Sequence, residues 1–287
     1  MSVAGGVHLA VARAHVHGCE ALQLFAKNAS QWRGRDLPTT EVHAFRSALE
    51  ATGIHPAVSH ASYLINLATT APQLRARSIA AFADELDRAE TLGLMGVVLH
   101  PGTCTSGTED DALAAIARAI DEVLKTRPHH RARVLLEHTA GQGRTVGYRF
   151  EHLATILGHL DGTPRVGVCL DTCHLVASGY RIHEREGFVD TLDAFDRIVG
   201  LDRLQVLHVN DSKKPCGSRV DRHEHIGDGC LGLEPFRWFL NEPRLAGLPM
   251  LLETAKTDGN RRPTAVEIDP LDAKNLATLR GLLIQGA

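Results

Sequence analysis

The sequence predicts an α/β fold, a barrel of parallel strands wrapped in helices, and two observations carry the prediction. First, six short apolar runs each stop on a residue able to bind a metal: Pro56–His60, Val97–His100, Val134–Glu137, Val166–Asp171, Val206–His208 and Met250–Glu253. Apolar runs of this length, rich in Val and Leu, read as buried parallel strands. Second, the ends of the runs recur every 34 to 45 residues, a regular strand–helix period. A polar or acidic residue closing such a strand lies where α/β enzymes keep their chemistry.

The remaining elements follow in order. A helix is predicted over Val7–Gly18 and a strand over Ala21–Ala26. Amphipathic patterns, with apolar residues three and four apart, predict helices over Pro72–Leu92, Asp110–Lys125 and Gly187–Val199. The strands total seven, whereas a closed barrel needs eight. The missing one belongs before the first helix, where only Met1–Val3 precede the Ala4-Gly5-Gly6 turn. The first strand is thus expected to be truncated or missing, either a stub or lost to a start codon set too far downstream. No linker or low-complexity tract interrupts residues 1–287, so one catalytic domain is expected. The segments after Asn28, His174 and Asp211 read as long polar loops forming a binding face.

Composition excludes some classes. Hydrophobic residues make up 44% and charged residues 23%, as in ordinary globular proteins. No apolar stretch reaches membrane-spanning length and no signal peptide is evident, which points to a cytoplasmic location. A net charge of −3 argues against a generally basic nucleic-acid binder, although local fields matter more than the sum. The six Cys include no C-x-x-C pair and read as reduced packing residues.

Three further candidates join the six strand ends: His174, which follows Asp171, and Asp221 with His223 in an Asp-x-His pair. A lone His at a strand end is more often packed, and a lone carboxylate more often a cap. Burying several carboxylates together, however, costs on the order of several kcal/mol per ion unless cations or protons compensate. Mixed imidazole and carboxylate donors suit zinc, with Mn2+ or Fe2+ as substitutes, and nine donors exceed what one tetrahedral ion takes. His225 reads as loop packing. His8, His15, His17, His129, His130 and His159 read as solvent-facing. Two segments suit an anionic polymer: Asn28–Asp36, with Gln31, Trp32, Arg33 and Arg35, and Asp211–Arg222, with Lys213, Lys214, Arg219 and Arg222. A merely solvated charged loop competes for either.

The blocks SHASYLINLA, VVLHPGT, LLEHTAGQG, GVCLDTCHLVASGY, LHVNDSKKPCGSRVDRHEHIGDG and LLETAK closely resemble the signature segments of the endonuclease IV family, over essentially the whole chain. The resemblance implies a (β/α)8 TIM barrel and cleavage of duplex DNA on the 5′ side of abasic sites, leaving a 3′-hydroxyl and a 5′-deoxyribose phosphate. It implies three zinc ions and a monomer. His60, His100 and Glu137 would hold the first ion. Glu137 would bridge to a second, completed by Asp171, His208 and Glu253. The third would sit on His174, Asp221 and His223, a more exposed group on loops. Tyr63 and Leu64 match the residues that wedge into the duplex. The chain departs from the family pattern in lacking the first Gly-x-His strand, and at Ser30 (commonly basic), His138 (commonly Asn) and Ala255 (commonly Pro). All nine ligand positions are kept. A divalent-metal sugar isomerase or epimerase on the same barrel would explain the strand-end ligands, but neither the third set nor the phosphate-suited loops. A non-catalytic lesion binder would not need the full ligand set.

Overall fold

The computed structural model describes residues 1–160, 163–257 and 265–284. The chain folds as two compact units, the first mainly Met1–Glu137 with Thr155–Gly167, the second mainly His138–Ala154 and the chain from Val168 onward.

In the first unit, helix α1 (Val7–Val16) precedes strand β1 (Leu22–Leu24), helix α2 (Thr39–Thr52), strand β2 (Ala57–His60), helix α3 (Pro72–Leu92), strand β3 (Gly96–Leu99), a short strand β4 (Gly102–Thr103), helix α4 (Glu109–Lys125) and strand β5 (Arg133–Glu137). Strands β1, β2, β3 and β5 lie side by side in that order, all parallel. No strand is assigned ahead of α1. Predicted and observed limits agree for α3, while Ala21–Ala26 shortens to Leu22–Leu24. Helix α3 buries Phe82, Leu86, Ala89 and Leu92, one apolar stripe at three- and four-residue spacing. Helix α4 starts at a capping box in which Thr108 and Asp111 exchange hydrogen bonds. Gly93, at φ 73°, ends α3 in the left-handed conformation that a side chain resists.

In the second unit come β6 (Thr145–Val146), the start of helix α5 (Phe150–Gly158), strand β7 (Val166–Asp171), helices α6 (Thr172–Ser178) and α7 (Arg185–Ile198), strand β8 (Leu204–His208), short strands β9 (Asp211–Ser212) and β10 (His223–Glu224), helix α8 (Glu234–Asn241), strand β11 (Met250–Leu251) and helix α9 (Pro270–Leu282). Strands β7, β8 and β11 are adjacent and parallel. Strands β9 and β10 pair antiparallel. Phe188, Leu192 and Phe195 of α7 are buried, and Phe188 meets Phe239 of α8 edge-on at 4.9 Å between ring centres.

Seven parallel strands are thus present among the described residues, and the six predicted to end on a candidate ligand end on it or within two residues of it. Two expectations need correction. The segment around His174 is helix α6, not loop, because Asp171 caps it by accepting the His174 backbone N–H at 3.0 Å. His17 is buried instead of solvent-facing, and its Nδ1–H donates to the Arg13 carbonyl at 2.7 Å. Of the other histidines read as exposed, His8 and His130 are half-buried, the latter 3.7 Å from Asp87. No helix among the described residues is long and apolar enough to cross a membrane.

Gly96 opens β3 opposite Arg133 of β5, and a Cβ there would lie 2.6 Å from the Arg133 carbonyl oxygen. Gly96→Ala is therefore expected to lower stability by about 1–3 kcal/mol by forcing the strands apart. A urea midpoint equal to that of the parent would refute this close approach.

Candidate metal centre

Parallel strands bring their C-terminal ends to one edge, so residues distant in sequence become neighbours there. In the first unit β2, β3 and β5 do this for His60, His100 and Glu137. Nε2 of His60 and Nε2 of His100 each lie 3.1 Å from the same oxygen, Oε2 of Glu137. Glu137 and His60 are buried, and His100 is half-buried. The donor atoms of the three residues all lie within 4.8 Å of one another.

The second unit builds its sites on β7, β8 and the residues after β11. Asp171 and His208 are direct partners across β7 and β8, and His208 pairs with Leu251 across β8 and β11. Nδ1 of His208 lies 3.2 Å from Glu253 Oε2 and 3.7 Å from Asp171 Oδ2. Helix α6 carries His174, whose Nε2 lies 3.2 Å from Asp221 Oδ2. Nε2 of His223 is 3.3 Å from Asp221 Oδ1 and 3.7 Å from Asp171 Oδ2. The donor atoms of Asp171, His174 and His223 fall within 4.8 Å of one another. The His174 side chain is buried, whereas Asp221 and His223 are half-buried, so this set is closed at α6 and more open at the hairpin.

The tautomers decide what these groups can hold. A carbonyl oxygen only accepts, so a ring nitrogen beside one must carry the proton. Nδ1–H of His60 donates to the Ala61 carbonyl at 2.8 Å, Nδ1–H of His174 to the His138 carbonyl at 2.8 Å, and Nδ1–H of His223 to the Glu253 carbonyl at 3.4 Å. In a neutral ring the remaining nitrogen, Nε2, then presents a lone pair, here aimed at carboxylate oxygens. Lone pair against carboxylate is repulsive unless a cation or a second proton lies between. Backbone-anchored imidazoles of this kind are the usual arrangement of metal-ligating histidine. The donor set, imidazole nitrogen and carboxylate oxygen, fits zinc and accepts manganese or iron. Cys173 lies close to Asp221 and His223, but burial, with the Asp171 charge adding, pushes its thiol up to about 12.

Two residues that the sequence reading passed over hold this site in place. Asn210 donates from Nδ2 to Asp171 Oδ2 at 2.6 Å and accepts the Glu253 N–H on Oδ1 at 2.8 Å, so one amide fixes two carboxylate-bearing positions. The buried Asp211 carboxylate accepts four backbone N–H groups, from Ser212, Leu231, Gly227 and Gly229, at 2.7 to 3.1 Å. Burial raises the Asp211 carboxyl above its ordinary range, while the four donors work the other way. These residues lie two and three positions beyond His208, where the apolar run ends. That adjacency was the available signal.

The segments expected to meet an anionic polymer are placed as follows. Tyr63 is 63% exposed, and its ring lies 5.2 Å from that of His60. Leu64 is half-buried, and Gln31 and Arg33 are exposed. Trp32 is half-buried, with the guanidinium of Arg77 over its ring at 4.5 Å. Lys213 and Arg222 lie on the β9–β10 hairpin, both exposed, joined by the Lys213 N–H to the Arg222 carbonyl at 2.9 Å. His225 is half-buried and is tied to helix α9, its Nδ1 lying 3.0 Å from Asn275 Nδ2.

The family described as xylose isomerase-like TIM barrel matches residues 11–273. A probable endonuclease 4 from Chloroflexus aurantiacus is 47% identical over 287 residues, covering 100% of this chain and 97% of that relative. The chain belongs to the endonuclease IV family. The crystal structure of endonuclease IV from Thermus thermophilus matches with a TM-score of 0.84 at 40% identity, over 98% of this chain and 96% of that one. A D-tagatose 3-epimerase-like protein matches with a TM-score of 0.68 at 17% identity, over 93% of this chain and 90% of that one, a likeness of fold alone. The endonuclease IV membership makes this chain a TIM-barrel nuclease, and the groups described above are its candidate metal ligands.

Replacing Asp211 by Ala leaves four backbone N–H groups without their acceptor. The expected cost is roughly 2–4 kcal/mol, together with loss of metal from the set that includes Asp221 and His223. Thermal unfolding and elemental analysis measure both. Full metal content with unchanged melting would show that the hairpin does not depend on this carboxylate.

Proposed function

We propose that this endonuclease IV homologue is a DNA-repair enzyme that hydrolyses the phosphodiester 5′ to an abasic site in duplex DNA, leaving a 3′-hydroxyl and a 5′-deoxyribose phosphate. The observation that carries the proposal is the set of backbone-anchored imidazoles whose Nε2 atoms face buried carboxylates at strand ends. Three zinc ions are proposed, with Mn2+ or Fe2+ as substitutes: one on His60, His100 and Glu137, one on Asp171, His208 and Glu253, and one on His174, Asp221 and His223. When bound, zinc supplies Lewis acidity, which makes water acidic enough to attack at neutral pH and offsets charge on the phosphate.

The chain's own residues do the rest. Glu137, buried and flanked by two imidazoles, fixes a negative charge where the first cation is proposed. Lys213, Arg222 and Arg33 are surface cations suited to backbone phosphates. Gln31 and Trp32 lie in the same segment as Arg33. Tyr63 and Leu64 are proposed to enter the duplex beside the first ligand set. An abasic nucleotide has no base to unstack, so turning it out costs less than for an intact one, and this favours damaged sites. The family match runs through both compact units, which supports one catalytic domain. A DNA substrate supports a cytoplasmic location, and we propose a monomer.

The test pairs metal content with incision of a duplex carrying a tetrahydrofuran abasic analogue. About three zinc per chain and cutting on the 5′ side are expected. Glu137→Ala should lower incision about a thousandfold or more. One zinc per chain, with His174, Asp221 and His223 replaceable at no cost, would support the sugar isomerase reading instead. Tyr63→Ala should weaken binding to abasic duplex roughly tenfold while barely changing binding to intact duplex. Equal losses on both duplexes would remove the wedge role.

A further inference from the structure

The first unit contains a buried ionic network that takes no part in the ligand sets. The Lys27 and Glu85 side chains are each only 1% exposed, with Lys27 Nζ 3.4 Å from Glu85 Oε1. Lys27 also donates to Asp84 Oδ2 at 3.0 Å, to the Ala81 carbonyl at 3.2 Å and to the Trp32 carbonyl at 3.3 Å. Glu85 Oε1 in turn accepts the Ser62 backbone N–H at 3.1 Å. Ser62 closes the circuit, donating from its hydroxyl to the Ala29 carbonyl at 2.6 Å. The chain of contacts therefore runs from Trp32 through Lys27 and Glu85 to Ser62 and back to Ala29.

Helix α3 acts as a rail for this circuit. Arg77, Ala81, Asp84, Glu85 and Arg88 share one of its faces, spaced by three, four and seven residues. Arg77 covers Trp32, and Arg88 donates to the Arg35 carbonyl at 2.6 Å. At Gly34 a Cβ would lie 2.5 Å from Arg88 Nη2, so the segment is seated tightly on the helix. A buried Lys–Glu pair is not an economical source of stability, since apolar replacements of similar size are often neutral or better. Its attested use is to fix one geometry among several.

We propose that Lys27 and Glu85 are positioning residues that lock the segment 28–36 to the segment 61–66, so that Gln31, Trp32 and Arg33 are held in fixed register with Tyr63 and Leu64. This inference rests on the proposed role of those two segments in reading duplex DNA. The physical reason is geometric. Two contact segments gain selectivity for a distorted duplex only when the distance between them is set before binding, since ordering them on the DNA costs affinity. One carboxylate oxygen that holds a backbone N–H of one segment and the cation gripping the other sets that distance.

The experiment uses Lys27→Met, with amide hydrogen exchange on the free protein and kinetics on the tetrahydrofuran duplex. Exchange should quicken in 28–36 and 61–66 together. KM should rise about tenfold while kcat and zinc content hold. In the Lys27→Met background, Tyr63→Ala should cost less than it does alone, because its register is already lost. Faster exchange in one segment only or in neither, a fall in kcat and zinc at unchanged KM, or strict additivity with Tyr63→Ala would each overturn the proposal. Should Lys27→Met not fold, Ser62→Ala breaks the direct link to Ala29 without disturbing the buried charges, and the same paired readouts apply. If the parent protein failed to cut abasic duplex, the proposed function would fall, whereas the exchange measurement, which needs no DNA, would still judge the coupling.

Discussion

The structure turns on a proton that backbone carbonyls refuse to release. His60, His174 and His223 each donate Nδ1–H to a main-chain oxygen, and that bond leaves Nε2 facing carboxylates. A neutral imidazole and a buried carboxylate so arranged repel each other. The fold therefore stores an electrostatic demand that a cation meets. The carbonyls have already chosen tautomer and ring direction, as outer partners do in metal sites generally.

The carboxylates are held with equal economy of parts. Asp171 closes β7, caps α6 through one oxygen and receives Asn210 on the other. The same Asn210 grips the backbone of Glu253. A change at Asn210 would thus loosen one donor residue through its side chain and another through its main chain. Asp211, next in sequence, gathers four N–H groups from residues on either side, in sequence, of Asp221 and His223. Asn210 and Asp211, just after the β8 apolar run, organise more of the site than their plain appearance in sequence conveys.

What was legible in the sequence follows from this division. Strand ends could be read because parallel pairing is a regular rule: an apolar run closed by His, Asp or Glu has one place to put that residue. Six strands followed from apolar runs and their spacing, and the limits of α3 from apolar residues three and four apart. His174 was misjudged because Asp171 was read only as a ligand. Its second role as helix cap turns the next residues inward, and capping competes with loop on local geometry that composition does not show. His17 was misjudged because a histidine in a helix reads as polar, whereas a bond to the carbonyl four residues earlier lets it be buried. The Lys27–Glu85 pair was invisible for a different reason. Partners so far apart in sequence, one before a loop and one inside an amphipathic helix, are joined only by tertiary packing.

Fold and chemistry separate cleanly here. Epimerase-like barrels share the architecture at identities too low to carry function, and a barrel with ligands at its strand ends suits many reactions. The distinction lies in what was added to the strand ends. The β9–β10 hairpin brings Asp221 and His223 to His174, a donor set that a one- or two-ion sugar enzyme does not require. The same hairpin carries Lys213 and Arg222 at the surface. A candidate metal set and a phosphate-suited surface on one short element mean that the proposed third cation and the polymer would be served by the same piece of chain. On this argument the hairpin, more than the barrel architecture, is what commits the chain to a phosphodiester.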